Sequence, residues 1–371
     1  MKDSTIRVLV VDDSALYRKF VSSVLEEVRG IEVVGTAANG RIGLEKIDSL
    51  LPDLITLDLE MPEMDGLTML RNLADRSCKI PTVVISSQTV EAAELTNSAL
   101  ELGAFDFVLK PVGKGPNESR QLLKESLAPK IDASLASIRR KASHSNRTDE
   151  SRSAADRVLS SHNAVQRMVQ TVETIRRSPK IVCVGVSTGG PAALHTLLPQ
   201  LPADFPCPIL LVQHMPPMFT TSLADNLDRI SSLDVLEAEH GMIAKQGQVL
   251  IAPGGKQMGI QRRNGLPIIQ ISDDAPERNC KPSVNYLFRS ACEHYRDRAV
   301  AVMLTGMGDD GLLGCEKLKE AGSQIIAQDE PSCVVYGMPR SVIEAGIVDR
   351  VAPLEEIATS LVQSVGQGVI A

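Results

Sequence analysis

Acidic residues stand at the ends of apolar runs in the first third of the chain. Asp12 and Asp13 directly follow Ile6-Arg7-Val8-Leu9-Val10-Val11, and Asp58 closes the run Asp53-Leu54-Ile55-Thr56-Leu57. Ser86 and Lys110 end two further runs. Three carboxylates brought together repel one another. A hard divalent cation with oxygen ligands compensates them, and Mg2+ suits this best. A carboxylate beside such an ion can attack a phosphoryl donor and become an aspartyl phosphate, with the ion neutralising charge on the transferring oxygens. Lys110 would pair with the phosphoryl group, and the Ser86 hydroxyl would hydrogen-bond to it. Singly, an Asp-Asp pair before a helix is an ordinary cap with dipole-matched charge. Their common order and placement favour a site.

A second set of chemical residues lies downstream. Gly185-Val186-Ser187-Thr188-Gly189 fits G-x-S-x-G at a strand-to-helix junction. Its glycines permit a tight turn, Pro191 suits the first helical turn, and exposed amides there favour an oxyanion. Alone, such a turn could equally be a capping loop or a phosphate cradle. A nucleophilic serine needs a base and an orienting carboxylate. Of six histidines, His214 ends the run Pro208-Ile209-Leu210-Leu211-Val212-Gln213 and is the best base. His195, among Leu194, Leu197 and Leu198, reads as structural; His144 and His162 lie in or beside a polar stretch, and His240 and His294 in polar surroundings. The carboxylate comes from Leu304-Thr305-Gly306-Met307-Gly308-Asp309-Asp310-Gly311, where Asp309 and Asp310 compete. The same turn offers the Met307 amide to an oxyanion. The order Ser, His, Asp differs from that of α/β-hydrolases, so a different fold carries the chemistry.

The elements that must position these residues alternate strand and helix. Strands are expected at Ile6–Val11, Asp53–Leu57, Thr82–Ile85 and Phe107–Leu109; Leu16, Phe20, Val24 and Val28 mark one face of a helix. The pattern implies a parallel, doubly wound sheet, which gathers ligands outside the carboxyl ends of its strands. A second β/α pattern starts at Ile181, with strands at Ile181–Val186, Ile209–Gln213, Val249–Ile251, Ile268–Ile271, Ala299–Leu304 and Ser323–Ala327. Helices fit Ala192–Pro199, Val284–Arg296 and Leu312–Glu320. Between the halves, residues 140–157 hold no Ile, Leu, Val, Met or Phe. Such a stretch buries too little to offset its chain entropy and reads as a solvated tether, although Val158 to Arg177 has some helical periodicity. The expected division is 4–125, a linker over 126–178, and 179–371.

At 371 residues, two cores are expected. Tryptophan is absent and aromatics make up 3%, so stacking platforms for bases are scarce. With a net charge of -7, a nucleic-acid partner is not expected. No apolar run approaches the roughly 20 residues that span a bilayer. Seven cysteines without a Cys-x-x-Cys pair suit a reducing compartment, so a cytoplasmic, monomeric protein is expected.

The first half resembles the receiver domain of two-component response regulators over about residues 4 to 125. Val10-Val11-Asp12-Asp13-Ser14, Asp58 with Met61-Pro62-Glu63-Met64-Asp65-Gly66, Ser86-Ser87 and Leu109-Lys110-Pro111 carry the likeness. It implies a flavodoxin-like fold, Asp58 as phospho-acceptor, Mg2+ on Asp12, Asp13 and Asp58, Ser86 as switch hydroxyl and Phe107 as switch aromatic, without the phenol of a tyrosine. The second half resembles the chemotaxis protein-glutamate methylesterases through Ser187-Thr188-Gly189-Gly190-Pro191, Gln213-His214-Met215-Pro216-Pro217-Met218-Phe219, Ile251-Ala252-Pro253-Gly254-Gly255, Pro282-Ser283-Val284 and Leu304 to Gly311. That resemblance implies an α/β serine esterase with Ser187 as nucleophile, His214 as base, Asp310 rather than Asp309 as orienting acid, and Met307 with Thr188 at the oxyanion hole. It also implies a histidine kinase as phosphodonor, methylated chemoreceptors as substrates, glutamine deamidation as a second reaction, and no cofactor for the ester step. Two residues depart from the family pattern. Asn285 stands where aspartate is frequent and Gln257 where histidine is; both are expected to bear on substrate contact and not on the triad.

Overall fold

The computed structural model describes residues 5–112, 115–145 and 180–366. In the N-terminal domain, β1 (Ile6–Val11), β2 (Ile31–Ala37), β3 (Leu54–Leu57), β4 (Thr82–Ser86) and β5 (Asp106–Leu109) form one parallel sheet in the order β2-β1-β3-β4-β5. Helices α1 (Ala15–Glu26), α2 (Gly40–Leu50), α3 (Gly66–Asp75), α4 (Val90–Glu101) and α5 (Pro116–Ser145) connect and cover it. The runs Val8 to Val11 and Leu54 to Leu57 are wholly buried because helices cover both faces of a parallel sheet. Each early helix opens on a polar cap: Ser14, Asn39, Asp65 and Thr89 accept hydrogen bonds from amides three residues on.

The C-terminal domain is built on seven parallel strands, β6 (Ile181–Val186), β7 (Ile209–Gln213), β8 (Asp234–Glu237), β9 (Gln248–Ile251), β12 (Ala299–Met303), β13 (Gln324–Gln328) and β14 (Arg350–Ala352). Their order is β14-β13-β12-β6-β7-β9-β8. The flanking helices are α6 (Gly190–Leu197), α7 (Phe219–Asp228), α8 (Val284–Tyr295), α9 (Leu312–Glu320), α10 (Met338–Glu344) and α11 (Leu354–Gly366). β10 (Gln257–Arg263) and β11 (Leu266–Ser272) make a separate antiparallel hairpin. No helix among the described residues is long and apolar enough to cross a membrane.

Three expectations need correction. Leu16 is 81% exposed, and the buried stripe of α1 is Val21, Val24 and Leu25. A strict four-residue repeat drifts around a helix of 3.6 residues per turn, so spacings of three and four are needed to stay on one face. The run Ile268–Ile271 lies in the hairpin and not in the parallel sheet, because Gly265 at φ +81° closes a tight turn back to β10. Third, the chain does not become a tether at residue 126: α5 continues to Ser145. Leu123, Leu127 and Ile131 are fully buried at four-residue spacing and share a core with Val8, Val108 and Val335, so the helix bridges both domains. The basic stretch from Arg147 to Arg157 and the periodic stretch 158–177 lie outside the described residues.

The N-terminal domain meets the C-terminal domain through α4, β5 and α5. α4 packs on α6 and α7, Phe107 stacks on Phe219 with ring centroids 4.8 Å apart, and Asn97 Nδ2 donates to the Phe219 carbonyl at 3.1 Å.

Candidate active site

At the C-terminal edge of the first sheet, Asp12 and Asp58 are buried and Asp13 is exposed; the three offer carboxylate oxygens within 4.8 Å of one another. Lys110 Nζ lies 2.6 Å from Asp58 Oδ2 and 3.5 Å from Asp12 Oδ2. Asp12 Oδ1 accepts the Ser14 amide, whereas Oδ2 is buried with no hydrogen-bond donor. Burial pushes the Asp12 carboxyl up to about 6; Lys110 opposes this and the Asp58 charge adds to it. An orphaned oxygen in an all-carboxylate cluster is the donor chemistry a hard divalent cation requires, so these residues fit one. Ser86 is not turned toward Asp58. Its Oγ lies 2.7 Å from Thr96 Oγ1 and donates to the Ser87 carbonyl, both toward α4.

In the second domain Ser187 follows β6 and begins the turn into α6. Gly189 there adopts φ +78°, and a Cβ on it would come within 2.5 Å of Val334, so the turn requires glycine. Gln213 Nε2 donates to the Ser187 carbonyl at 3.0 Å and steadies the turn. His214 follows β7, the neighbouring strand. Its Nε2 lies 2.8 Å from Asp310 Oδ2. Asp310 is nearly fully buried and also accepts hydrogen bonds from Ser283 Oγ at 2.9 Å, the Val284 amide at 2.7 Å and the Asn285 amide at 3.1 Å. These groups form the first turn of α8, whose dipole favours a carboxylate. Burial works against ionisation of Asp310, but His214 and these amides outweigh it and hold the carboxyl below its ordinary range. Burial likewise disfavours the His214 cation, yet Asp310 and the nearby Cys280 thiol raise it to about 9. Asp309 is turned away, half-exposed and paired with Arg278 at 3.4 Å.

Nε2 of His214 is engaged by Asp310, and Ser187 lies across the same cavity from the imidazole. Both side chains line a cavity of about 270 Å3 together with Thr188 and Gly189. Among the described residues, the Thr188 and Met307 amides donate to no acceptor. The far wall of the cavity is the N-terminal domain: Asp106, Phe107 and Val108 of β5 and Ser126 and Lys130 of α5. Thr188 Oγ1 donates to Asp106 Oδ2 at 2.6 Å, and Lys130 Nζ pairs with the same oxygen at 2.7 Å.

Residues 182–361 match the family model for the CheB methylesterase, and residues 8–122 match the response regulator receiver domain. A protein-glutamate methylesterase/protein-glutamine glutaminase of Desulfotalea psychrophila is 47% identical over 97% of this chain and 98% of its own. Its counterpart in Bacillus subtilis is 42% identical over 97% and 98%. The chain belongs to this enzyme family. The crystal structure of the Thermotoga maritima CheB methylesterase catalytic domain is 46% identical to it, covering 50% of this chain and 98% of that one with a TM-score of 0.49. Both resemblances read from the motifs, and the pairing of a receiver with a methylesterase domain, are thus borne out.

Within that methylesterase framework the structure corrects the reading of Asn285 and Gln257. Both are buried, so neither faces a substrate. The Asn285 amide touches Asp310 directly, and its Oδ1 accepts the Gly314 amide. Gln257 accepts the Ser283 amide and donates to the Ala275 and Cys280 carbonyls, tying together the loop behind Asp310. Sequence reasoning passed over Lys130, whose partner Asp106 lies within the receiver, and over Asp106 and Phe219, which meet Thr188 and Phe107 only on domain docking. Asp106 carried a signal nonetheless: a carboxylate opening a buried strand needs a partner.

Proposed function

We propose that this methylesterase hydrolyses γ-methyl esters of glutamate side chains on chemoreceptors by a serine acyl-enzyme route, and that phosphorylation of Asp58 releases it from the receiver domain. The observation that carries the reading is the shared cavity: Ser187, His214 and Thr188 on one wall, β5 and α5 of the receiver on the other.

Asp310 holds the Nε2 proton of His214, so Nδ1 presents its lone pair. Ser187 Oγ gives its proton to Nδ1 and bonds to the ester carbon, and the carbonyl π electrons move to oxygen. The Thr188 and Met307 amides stabilise that oxyanion; losing one such donor costs about 2.7–4 kcal/mol. On collapse the methoxy group takes the Nδ1 proton and leaves as methanol. Water, deprotonated by Nδ1, then attacks the acyl-enzyme and restores Ser187 Oγ–H, leaving glutamate. With a glutamine amide the same steps release ammonia, in keeping with the glutaminase activity named for the relatives.

Occlusion follows from size. A receptor helix is about 10–12 Å across with its side chains, whereas the cavity is about 270 Å3 and walled by Phe107 and Lys130. A histidine kinase is the expected phosphodonor. With Mg2+ held by Asp12, Asp13 and Asp58, the ion would neutralise charge on the transferring phosphoryl oxygens. The aspartyl phosphate carries roughly -1.5 to -2 charges where the carboxylate carried one, and it offers Lys110 and Ser86 new acceptors. Ser86 then leaves Thr96, Phe107 follows into the space, and the Phe107–Phe219 stack separates.

A fluorophosphonate probe tests this reading, because it labels only an activated, reachable serine. Labelling at Ser187 should accelerate with acetyl phosphate and Mg2+ and vanish in His214→Ala. Labelling elsewhere, or a rate indifferent to phosphorylation in wild type but altered in Asp58→Asn, would contradict it.

A further inference from the structure

Cys280 has no place in the esterase steps, yet its Sγ lies 3.9 Å from His214 Nδ1. The thiol is half-buried at the end of a loop fixed at several points. Glu277 and Cys280 exchange backbone hydrogen bonds, Gln257 donates to the Cys280 carbonyl at 3.4 Å, and Glu277 is gripped by both terminal nitrogens of Arg289. The sulfur is therefore presented to the imidazole by its framework.

We infer that Cys280 and His214 form a binding site for a thiophilic divalent cation of the zinc class, and that the bound ion silences the esterase by occupying the nitrogen that must accept the serine proton. The inference rests on the serine-esterase reading for its consequence, and on the Cys280–His214 geometry for the site. Zn–S and Zn–N bonds of about 2.3 and 2.0–2.1 Å at a tetrahedral angle place sulfur and nitrogen about 3.6 Å apart, close to the 3.9 Å observed. Asp310 on Nε2 completes the arrangement found behind metal-bound histidines, a carboxylate that fixes the tautomer and makes the other nitrogen more basic. The His214, Cys280 and Asp310 donor atoms lie within 4.8 Å of one another. Two protein ligands leave the remaining positions to water, so the ion is exchangeable. Selectivity follows from donor type: thiol and imidazole favour zinc, cobalt and copper, whereas the all-oxygen cluster of Asp12, Asp13 and Asp58 favours Mg2+.

The test uses the full chain with excess Mg2+, so that the carboxylate cluster is filled, and Co2+ as the spectroscopic probe. A thiolate-to-cobalt charge-transfer band should appear in wild type, persist in Cys78→Ala and Cys292→Ala (the other two half-buried cysteines), disappear in Cys280→Ala, and be displaced by Zn2+. Zn2+ should suppress methanol release by wild type, and the concentration required should rise in Cys280→Ala by more than the about 10- to 100-fold seen when an outer-shell partner is lost. Each variant is compared with its own metal-free rate. A band that survives in Cys280→Ala, no band in wild type, or equal zinc sensitivity of the two proteins would overturn the inference. A Cys280-dependent band without loss of hydrolysis would overturn the claim that the ion occupies the base. Failure of the metal-free wild type to hydrolyse ester would instead count against the esterase reading.

Discussion

Replacing Asp106 with asparagine probes the coupling between the two domains at its most polar point. Asp106 Oδ2 accepts the Thr188 hydroxyl of the esterase domain at 2.6 Å and pairs with Lys130 at 2.7 Å, within one receiver wall of the cavity. The Asp106–Lys130 pair lies inside the receiver and survives domain separation; the Thr188 bond does not. A hydrogen bond to a charged group contributes about 1.5–3 kcal/mol and a neutral one about 0.5–1.5 kcal/mol. An asparagine oxygen still accepts from Thr188, so the closed state loses roughly the difference, about 1–2 kcal/mol. While the open state is a minor population, that difference multiplies it by roughly 5- to 30-fold. The unphosphorylated Asp106→Asn protein should release methanol from methylated receptor fragments faster by that factor, and acetyl phosphate should then add proportionately less. A basal rate unchanged from wild type, in a protein with an intact thermal transition, would refute the idea that this contact holds the domains shut.

Other outcomes follow from the same structure. Asp12 is held up at about 6 from its ordinary 3.8, mainly by burial. A carboxyl raised on folding favours the native state most below the unfolded value, and that contribution is lost as pH rises through about 6. Asp12→Asn should therefore raise the melting temperature of the metal-free protein at neutral pH while abolishing Mg2+ binding, measured by calorimetry. In wild type, Mg2+ affinity should fall as pH drops through about 6. His214 is raised from 6.5 to about 9; its stabilising share is complete below pH 6.5 and is lost as pH climbs through about 9. Since the base must be neutral, basal kcat/KM should rise over the same interval, and His214→Gln should remove this part of the pH dependence of the melting temperature. Leu127→Ala empties a fully buried position of α5 and should cost about 2–5 kcal/mol in denaturant titration; a tether at that position would be indifferent.

Much of the framework was legible because a parallel sheet leaves plain traces. Val8 to Val11, Ile181 to Val186 and Ala299 to Met303 are buried on both faces and so read as continuous apolar runs. Asp12 and Asp58 follow β1 and β3 of the first sheet, Ser187 and His214 follow β6 and β7 of the second, and strands of one direction bring such ends to one rim of each sheet. Spacing did not separate Asp309 from Asp310. Both follow β12 in one glycine-rich turn, and only the seating of Asp310 on the first turn of α8 turns it toward His214. Ile268–Ile271 is a strand, as expected, but its place in an antiparallel hairpin was not legible because a short apolar run has no signature of sheet membership. The docking contacts of Asp106, Phe107 and Phe219 could not be read at all. They join residues far apart in the chain, and nothing local in a strand marks the second domain that will meet it.

The most direct measurement is methanol release from methylated receptor cytoplasmic fragments, by wild type and Ser187→Ala, with and without acetyl phosphate and Mg2+. Release by wild type that rises with the phosphodonor, and its absence in Ser187→Ala under every condition, is the predicted result. Release that persists in Ser187→Ala, or a wild type that stays inactive when Asp58 is fully phosphorylated, would contradict the account.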